Sequence, residues 1–184
     1  MLGPCRLVTA LGAGAMGSVW RAEMLEDRPW AAAGSTVAVK VIHPLYTLKA
    51  TAFERFLREA GLGTRIDHPA VVRTFAADTA TVNGETWQYL VMEYVRGKTI
   101  RQLLRELRTL PEPLVRHLGS RVADALAAVH AAGAIHRDVK PENVLITSDQ
   151  VIKLMDFGIA RTLDATTNLT ETGVFLGTVR YASP

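Results

Sequence analysis

The chain has 184 residues, 48% hydrophobic and 21% charged, with 21 Lys and Arg against 18 Asp and Glu for a formal charge of +3. That length and apolar share fit one compact domain or part of a larger one and exclude a disordered chain. So small a positive excess, with no long basic run, does not point to nucleic acid as a partner, and the single cysteine excludes an internal disulfide or a cysteine zinc cluster.

That cysteine, Cys5, is read as a half-buried small apolar residue near the first strand. The start Met1-Leu2-Gly3-Pro4-Cys5-Arg6 has no basic stretch leading into an apolar core, so no targeting signal is expected. The most apolar segment, Ala123 to Ile135, is shorter than a bilayer span and carries Asp124 and His130. A soluble chain in the cytoplasm is expected, although a membrane anchor further along a longer protein is compatible with these residues.

Cys5 to Leu11 is a short apolar-rich run that ends at Gly12, Gly14 and Gly17. Ser18 to Ala22 resumes an extended pattern, and Thr36 to Ile42 is rich in β-branched residues. Phe53, Phe56, Leu57 and Ala60 fall at helical spacing, with Glu54 and Arg58 able to pair along the helix. Val71 to Thr79 and Thr86 to Tyr94 read as strands around Asn83-Gly84, a strong hairpin signal.

After Gly97 the pattern turns helical. Thr99 can cap a helix carrying Ile100, Leu103, Leu104 and Leu107. Pro113 suits a first helical turn, and Val115, Leu118, Val122, Leu126 and Val129 form one apolar stripe that Gly133 is placed to end. Asn143 to Ile146 and Val151 to Leu154 read as short strands around Ser148-Asp149, and Gly158 to Pro184 as a long loop of the functional kind. The expected architecture is α+β in two lobes, 1–95 rich in strands and 96–184 rich in helices.

Gly12-x-Gly14-x-x-Gly17 is weak evidence by itself, but glycines let backbone N–H groups approach phosphate without a side chain in the way. A dinucleotide-binding fold needs a helix directly after the third glycine. Ser18-Val19-Trp20 favours a strand there instead, so the loop is read as joining two antiparallel strands. Lys40, amid Val37-Ala38-Val39, is either an edge position facing solvent or an ammonium held over phosphates. Its carboxylate partner could be Glu54 or Glu59, since helical geometry does not choose between them.

The segment His136-Arg137-Asp138-Val139-Lys140-Pro141-Glu142-Asn143 is far more specific. A return hairpin would bring Asp156, of Asp156-Phe157-Gly158, near Asn143 and Asp138. A carboxylate and an amide oxygen converging in this way suit Mg²⁺. Asp138 would then be available to orient a hydroxyl nucleophile and accept its proton.

Taken in order, the glycine loop, Val37-Ala38-Val39-Lys40, the His136 to Asn143 segment and Asp156-Phe157-Gly158 resemble the motifs of eukaryotic-like protein kinases, and the style is similar to the bacterial Hanks-type branch. The resemblance runs from Leu11 onward, and Lys140 marks the serine/threonine branch. It implies a protein-kinase-like bilobal fold: a five-stranded antiparallel N-lobe with one main helix, and a partial helical C-lobe. It further implies a serine/threonine protein kinase that uses ATP with Mg²⁺ or Mn²⁺ and acts on proteins, itself included, with homodimers serving autophosphorylation. An ATP-binding but incompetent fragment is the alternative reading.

By the same resemblance, Gly12, Gly14 and Gly17 cover the phosphates, while Lys40 contacts them and pairs with Glu59. Leu11, Val19, Ala38, Met92 and Leu145 sandwich the adenine, and Glu93 and Val95 offer backbone hydrogen bonds. Asp138 accepts the proton, Lys140 neutralises the transferring group, and Asn143 and Asp156 hold the metal. Thr178 bridges Asp138 and Lys140, Glu142 meets a basic residue of a peptide substrate, and Arg137, as a buried guanidinium, receives phosphothreonine, the bacterial pattern of two phosphorylated threonines being best matched by Thr170 and Thr172. Ser183-Pro184 stands where the family continues with a glutamate, so the first part of a kinase domain is expected, with apolar surface exposed on the Val115–Val129 helix.

Overall fold

The computed structural model describes residues 1–14, 17–43, 60–61 and 63–156. They fall into two units, Met1–Ile66 with Arg73–Val95 and Asp67–Val72 with Arg96–Pro184.

The first unit is built on an antiparallel sheet of β1 (Cys5–Gly14), β2 (Gly17–Met24), β3 (Thr36–Ile42), β4 (Thr74–Val82) and β5 (Glu85–Glu93), in the order β1-β2-β3-β5-β4. Alternation in β3 explains its central place. Val37, Val39 and Val41 are buried on one face and Ala38 and Ile42 on the other, so the strand is covered on both sides. The Val37 face packs with Leu2, Cys5, Ala22, Met24, Tyr89 and Val91. Burying each such valine contributes roughly 1.5–3 kcal/mol, an upper estimate set against an extended chain.

Cys5 is fully buried, not half-buried, because the N-terminal turn folds Leu2 over it and its Sγ lies 3.7 Å from Met24 Sδ. In the connection from β2 to β3, Trp30 stacks on Phe75 with ring centroids 5.4 Å apart, and the Arg73 guanidinium lies 5.9 Å from the Phe75 centroid. The β4–β5 turn takes its positive φ angles from Asn83 (53°) and Gly84 (82°), with Val82 paired to Glu85. Residues 60, 61 and 63 are helical; the rest of the helix expected around Phe53 lies outside the described residues.

The second unit holds β6 (Gly97–Thr99), α1 (Ile100–Leu107), α2 (Glu112–Ala131), a 3₁₀ turn at Pro141–Asn143, β7 (Val144–Thr147) and β8 (Ile152–Leu154), with β6-β7-β8 forming one sheet. Thr99 caps α1 as its residue type requires. Its Oγ1 accepts from Gln102 N–H at 3.1 Å while its own N–H donates to Gln102 Oε1 at 2.8 Å. Gly133, with φ 78°, ends α2: its N–H donates to His130 O and that of Ala134 to Val129 O.

Val115 on α2 is 48% exposed, while Leu118, Val122 and Leu126 are half-buried and Ala125 and Val129 fully buried. Two features depart from the sequence pattern. Strand β6 forms because Gly97 pairs with Thr147, and a Cβ at Gly97 would collide with Ile146 O. The segment 67–72, placed with the first lobe by a single cut after residue 95, belongs to the second unit. There Val72 N–H donates to Leu154 O and Leu154 N–H to Ala70 O, each at 2.8 Å, so β4 begins only at Thr74 rather than Val71.

Candidate functional site

In the first unit, the β2–β3–β5 register places the candidate nucleotide residues. Val19 is opposite Lys40, Ala38 opposite Met92, and Lys40 opposite Leu90. Side chains alternate, so Val19, Ala38, Lys40 and Met92 share the sheet face opposite to Val37, Val39 and Val41. Lys40 is half-buried in the central strand, and the edge-strand reading of this lysine falls.

The glycine segment is the closing end of the β1–β2 hairpin, with Gly12 opposite Val19 and Gly14 opposite Gly17. Leu11 lies at the irregularity between Ala10 and Gly12 and is 48% exposed. Gly17 has φ 146° and its α-carbon abuts the Val41 carbonyl, where any Cβ would collide. Gly12 and Gly14 have open space around them. At the end of β5, Glu93 N–H donates to Arg73 O at 2.9 Å, and Glu93 Oε2 accepts from Arg73 N–H at 3.3 Å. Val95 ends the unit.

In the second unit, the connection from α2 to β7 brings together a set of polar groups. His136 is buried, with Nε2 3.0 Å from Met155 O and Nδ1 3.3 Å from Asp138 N. Nε2–H therefore donates and Nδ1 accepts. Burial pushes the His136 pKa below its ordinary value, more strongly than the Met155 hydrogen bond and the charges of Asp156 and Asp138 push it up. Neutral His136 ties the start of this loop to the chain just beyond β8.

Asp138 gathers the cluster. Its Oδ2 accepts from Lys140 Nζ at 2.7 Å and from Asn143 Nδ2 at 2.9 Å, and its backbone oxygen accepts from the same Nδ2 at 2.8 Å. Oδ1 of Asp138 and Oδ1 of Asn143 are not engaged in these contacts. The β7–β8 hairpin pairs Val144 with Leu154 and Leu145 with Lys153, and Met155 N–H donates to Asn143 O at 2.9 Å. Asp156 thus follows one residue after the segment bonded to Asn143.

Arg137 and Asp156 both have left-handed backbones, φ 63° and 59°. Such strain costs on the order of 1 kcal/mol or more per residue and gathers at functional turns. Arg137 is exposed, which corrects its expected burial: His136 takes the interior position, and the left-handed residue after it stays at the surface. Leu145 is half-buried. Glu59, Thr170, Thr172 and Thr178 lie outside the described residues, so the choice between Glu54 and Glu59 stays where the sequence left it.

Two participants escape sequence reading. The Met155 carbonyl acts through backbone geometry, invisible in residue types. Arg101 of α1, whose Nε meets Glu142 Oε1 at 2.7 Å, is separated from its partner by 41 positions and carries no motif.

Comparison with known proteins follows the same lines. The profile of the protein kinase domain matches residues 5–184. The chain is 36% identical over 181 residues to the serine/threonine-protein kinase PknA of Corynebacterium glutamicum, covering 97% of this chain and 37% of that protein. It is 36% identical over 183 residues to PknA of Mycobacterium tuberculosis, covering 99% and 41%. It therefore spans well under half the length of these relatives. The crystal structure of the M. tuberculosis PknI kinase domain superimposes with a TM-score of 0.71 at 30% identity, over 90% of this chain and 65% of that one.

Proposed function

Because the chain belongs to the protein kinase domain family, and within it to the bacterial Hanks type, we propose that it is a serine/threonine protein kinase. It transfers the γ-phosphoryl group of ATP to Ser or Thr hydroxyls of proteins, itself included. The observation that carries this reading is the Asp138 cluster, a carboxylate held on one oxygen by Lys140 and Asn143 and open on the other.

In that reaction the bond from the γ-phosphorus to the ADP oxygen breaks and a bond to the acceptor oxygen forms. The hydroxyl proton passes to Asp138 Oδ1. Lys140, already beside Asp138, offsets negative charge on the transferring group. Gly12, Gly14 and Gly17 present backbone N–H groups to phosphate, Lys40 adds a cation, and Leu11, Val19, Ala38, Met92 and Leu145 are the apolar contacts for the base. Backbone groups of Glu93 and Val95 would bond its edge.

The donor set fits a hard divalent cation. Both Nδ2 bonds of Asn143 go to Asp138, which leaves the amide oxygen, and Asp156 supplies a carboxylate next along the chain. Mg²⁺, when bound, screens the phosphate charge. Glu59, Thr178, and both Thr170 and Thr172 as phosphorylation sites remain the family-based assignments. Among the described residues no helix is long and apolar enough to cross a membrane, and dependence on ATP supports a site facing the cytoplasm.

Incubation with γ-labelled ATP and a generic basic protein tests the reading. Wild-type chain should label the protein and itself, while Asp138→Asn and Asp156→Ala should not. Wild-type labelling by Asp138→Asn would sink the assignment.

A further inference from the structure

Arg101 stands in the first turn of α1, directly after buried Ile100, and Glu142 is the middle residue of the 3₁₀ turn Pro141–Asn143. Their bond, Arg101 Nε to Glu142 Oε1, measures 2.7 Å with side chains 25% and 40% exposed. The pair differs from the surface pair Lys98–Glu106, whose side chains are 55% and 50% exposed and which belongs to a class worth little. Glu142 Oε2 is shut off from solvent and has no hydrogen-bond partner among the described residues.

The position of Glu142 in the chain gives the bond its consequence. The next residue, Asn143, is buried, closes the turn by donating its N–H to Lys140 O at 2.9 Å, and clamps Asp138 through Nδ2. We propose that Arg101 is a positioning residue for phosphoryl transfer: by tying Glu142 to α1 it fixes the turn from which Asn143 aims the Asp138 carboxylate. With Oε1 engaged and Oε2 shielded, Glu142 serves the loop and not a basic flank of an acceptor protein. The effect on rate rests on the kinase reading; the effect on the loop does not.

The test compares Arg101→Ala, Arg101→Lys, Glu142→Gln and the Arg101→Ala/Glu142→Gln double variant. Each is assayed with one arginine-flanked and one uncharged acceptor peptide. Arg101→Ala should lower kcat about fivefold or more with the KM for ATP within about twofold, on the scale of misplaced catalytic groups. Arg101→Lys should recover part of the loss, Glu142→Gln should match Arg101→Ala, and the double variant should be no worse than either single one.

Hydrogen exchange supplies a readout independent of activity. Amides of residues 138–145 should exchange faster in Arg101→Ala while those of the β1–β5 sheet do not change. Unchanged kcat and exchange would overturn the proposal, as would a uniform rise in exchange, or a gain confined to the arginine-flanked peptide. Should Arg101→Ala fail to fold, Arg101→Lys and Glu142→Gln decide by the same measures. Should the wild-type chain transfer no phosphate, the kinase reading fails and the exchange of residues 138–145 still decides the role of Arg101.

Discussion

The side-chain amide of Asn143 donates to both the backbone oxygen and Oδ2 of Asp138, at 2.8 and 2.9 Å. A residue read from sequence as a metal ligand thus also orients the carboxylate that receives the proton. Asn143→Ala should lower kcat by about 10²-fold or more, because it removes that orientation together with a hard oxygen. It should cost about 1–3 kcal/mol of stability, since the half-buried Asp138 carbonyl loses its donor. Steady-state transfer and denaturant unfolding check the two parts separately.

The glycines of the first hairpin divide into two kinds. Gly17→Ala should destabilise the first unit by about 1–3 kcal/mol, because its φ of 146° and the Val41 carbonyl leave no room for a Cβ. Gly14→Ala meets nothing within 4 Å and should leave the melting temperature nearly unchanged while weakening ATP binding. Thermal melts alongside calorimetric titration with a non-hydrolysable ATP analogue separate these outcomes.

His136 predicts an acid limb. Its native pKa lies below the ordinary 6.5, so the unfolded chain binds more protons once the pH falls below about 6.5. Stability should therefore decline as the pH falls through about 6.5 and level off once the pH is below the native pKa. His136→Gln should flatten that slope in urea titrations run across the range, at the cost of a lower stability at neutral pH.

Tyr89 predicts an alkaline limb. Burial, then the neighbouring Asp78 and Cys5, push its phenol from 10.0 up to about 12. Its ionisation thus belongs to the unfolded chain first, and stability should fall as pH rises through 10 towards about 12. Tyr89→Phe keeps the ring in the core and should remove this loss. Ultraviolet titration of native and unfolded protein would show one fewer phenol ionising near 10.0 in the native state.

Gly97→Ala should loosen the three-stranded sheet of the second unit, since the added methyl strikes Ile146 O. The expected loss is about 1–3 kcal/mol. Faster amide exchange in β6 and β7, with the first unit unaffected, is the measurement; protection equal to wild type in those strands would contradict it.

Local chemistry made much of this protein legible before any coordinates. Asn83-Gly84 encodes its turn because few other residue pairs accept two left-handed backbones. Thr99 with Gln102 encodes the start of α1 because their side chains satisfy N–H groups within one turn. Residue types in His136 to Asn143 and at Asp156 name the chemistry of the site through the resemblance they carry. Element ends were less legible: β1 continues to Gly14 since pairing with β2 holds glycines that have little strand preference of their own.

What residue order leaves open is every relationship set by distant segments meeting. Val71 and Val72 are as strand-like as Phe75, yet their segment joins β8 because Leu154 there offers its C=O to Val72 and its N–H to Ala70. Arg137 looks like a guanidinium awaiting burial until His136 occupies the interior. Arg101 looks like one more charge on a short helix until α1 and the Pro141–Asn143 turn come together. The 184-residue composition with which the sequence is first met excludes classes of protein but cannot report such meetings. They depend on which backbone and side-chain groups lack a local partner, and only packing supplies the answer.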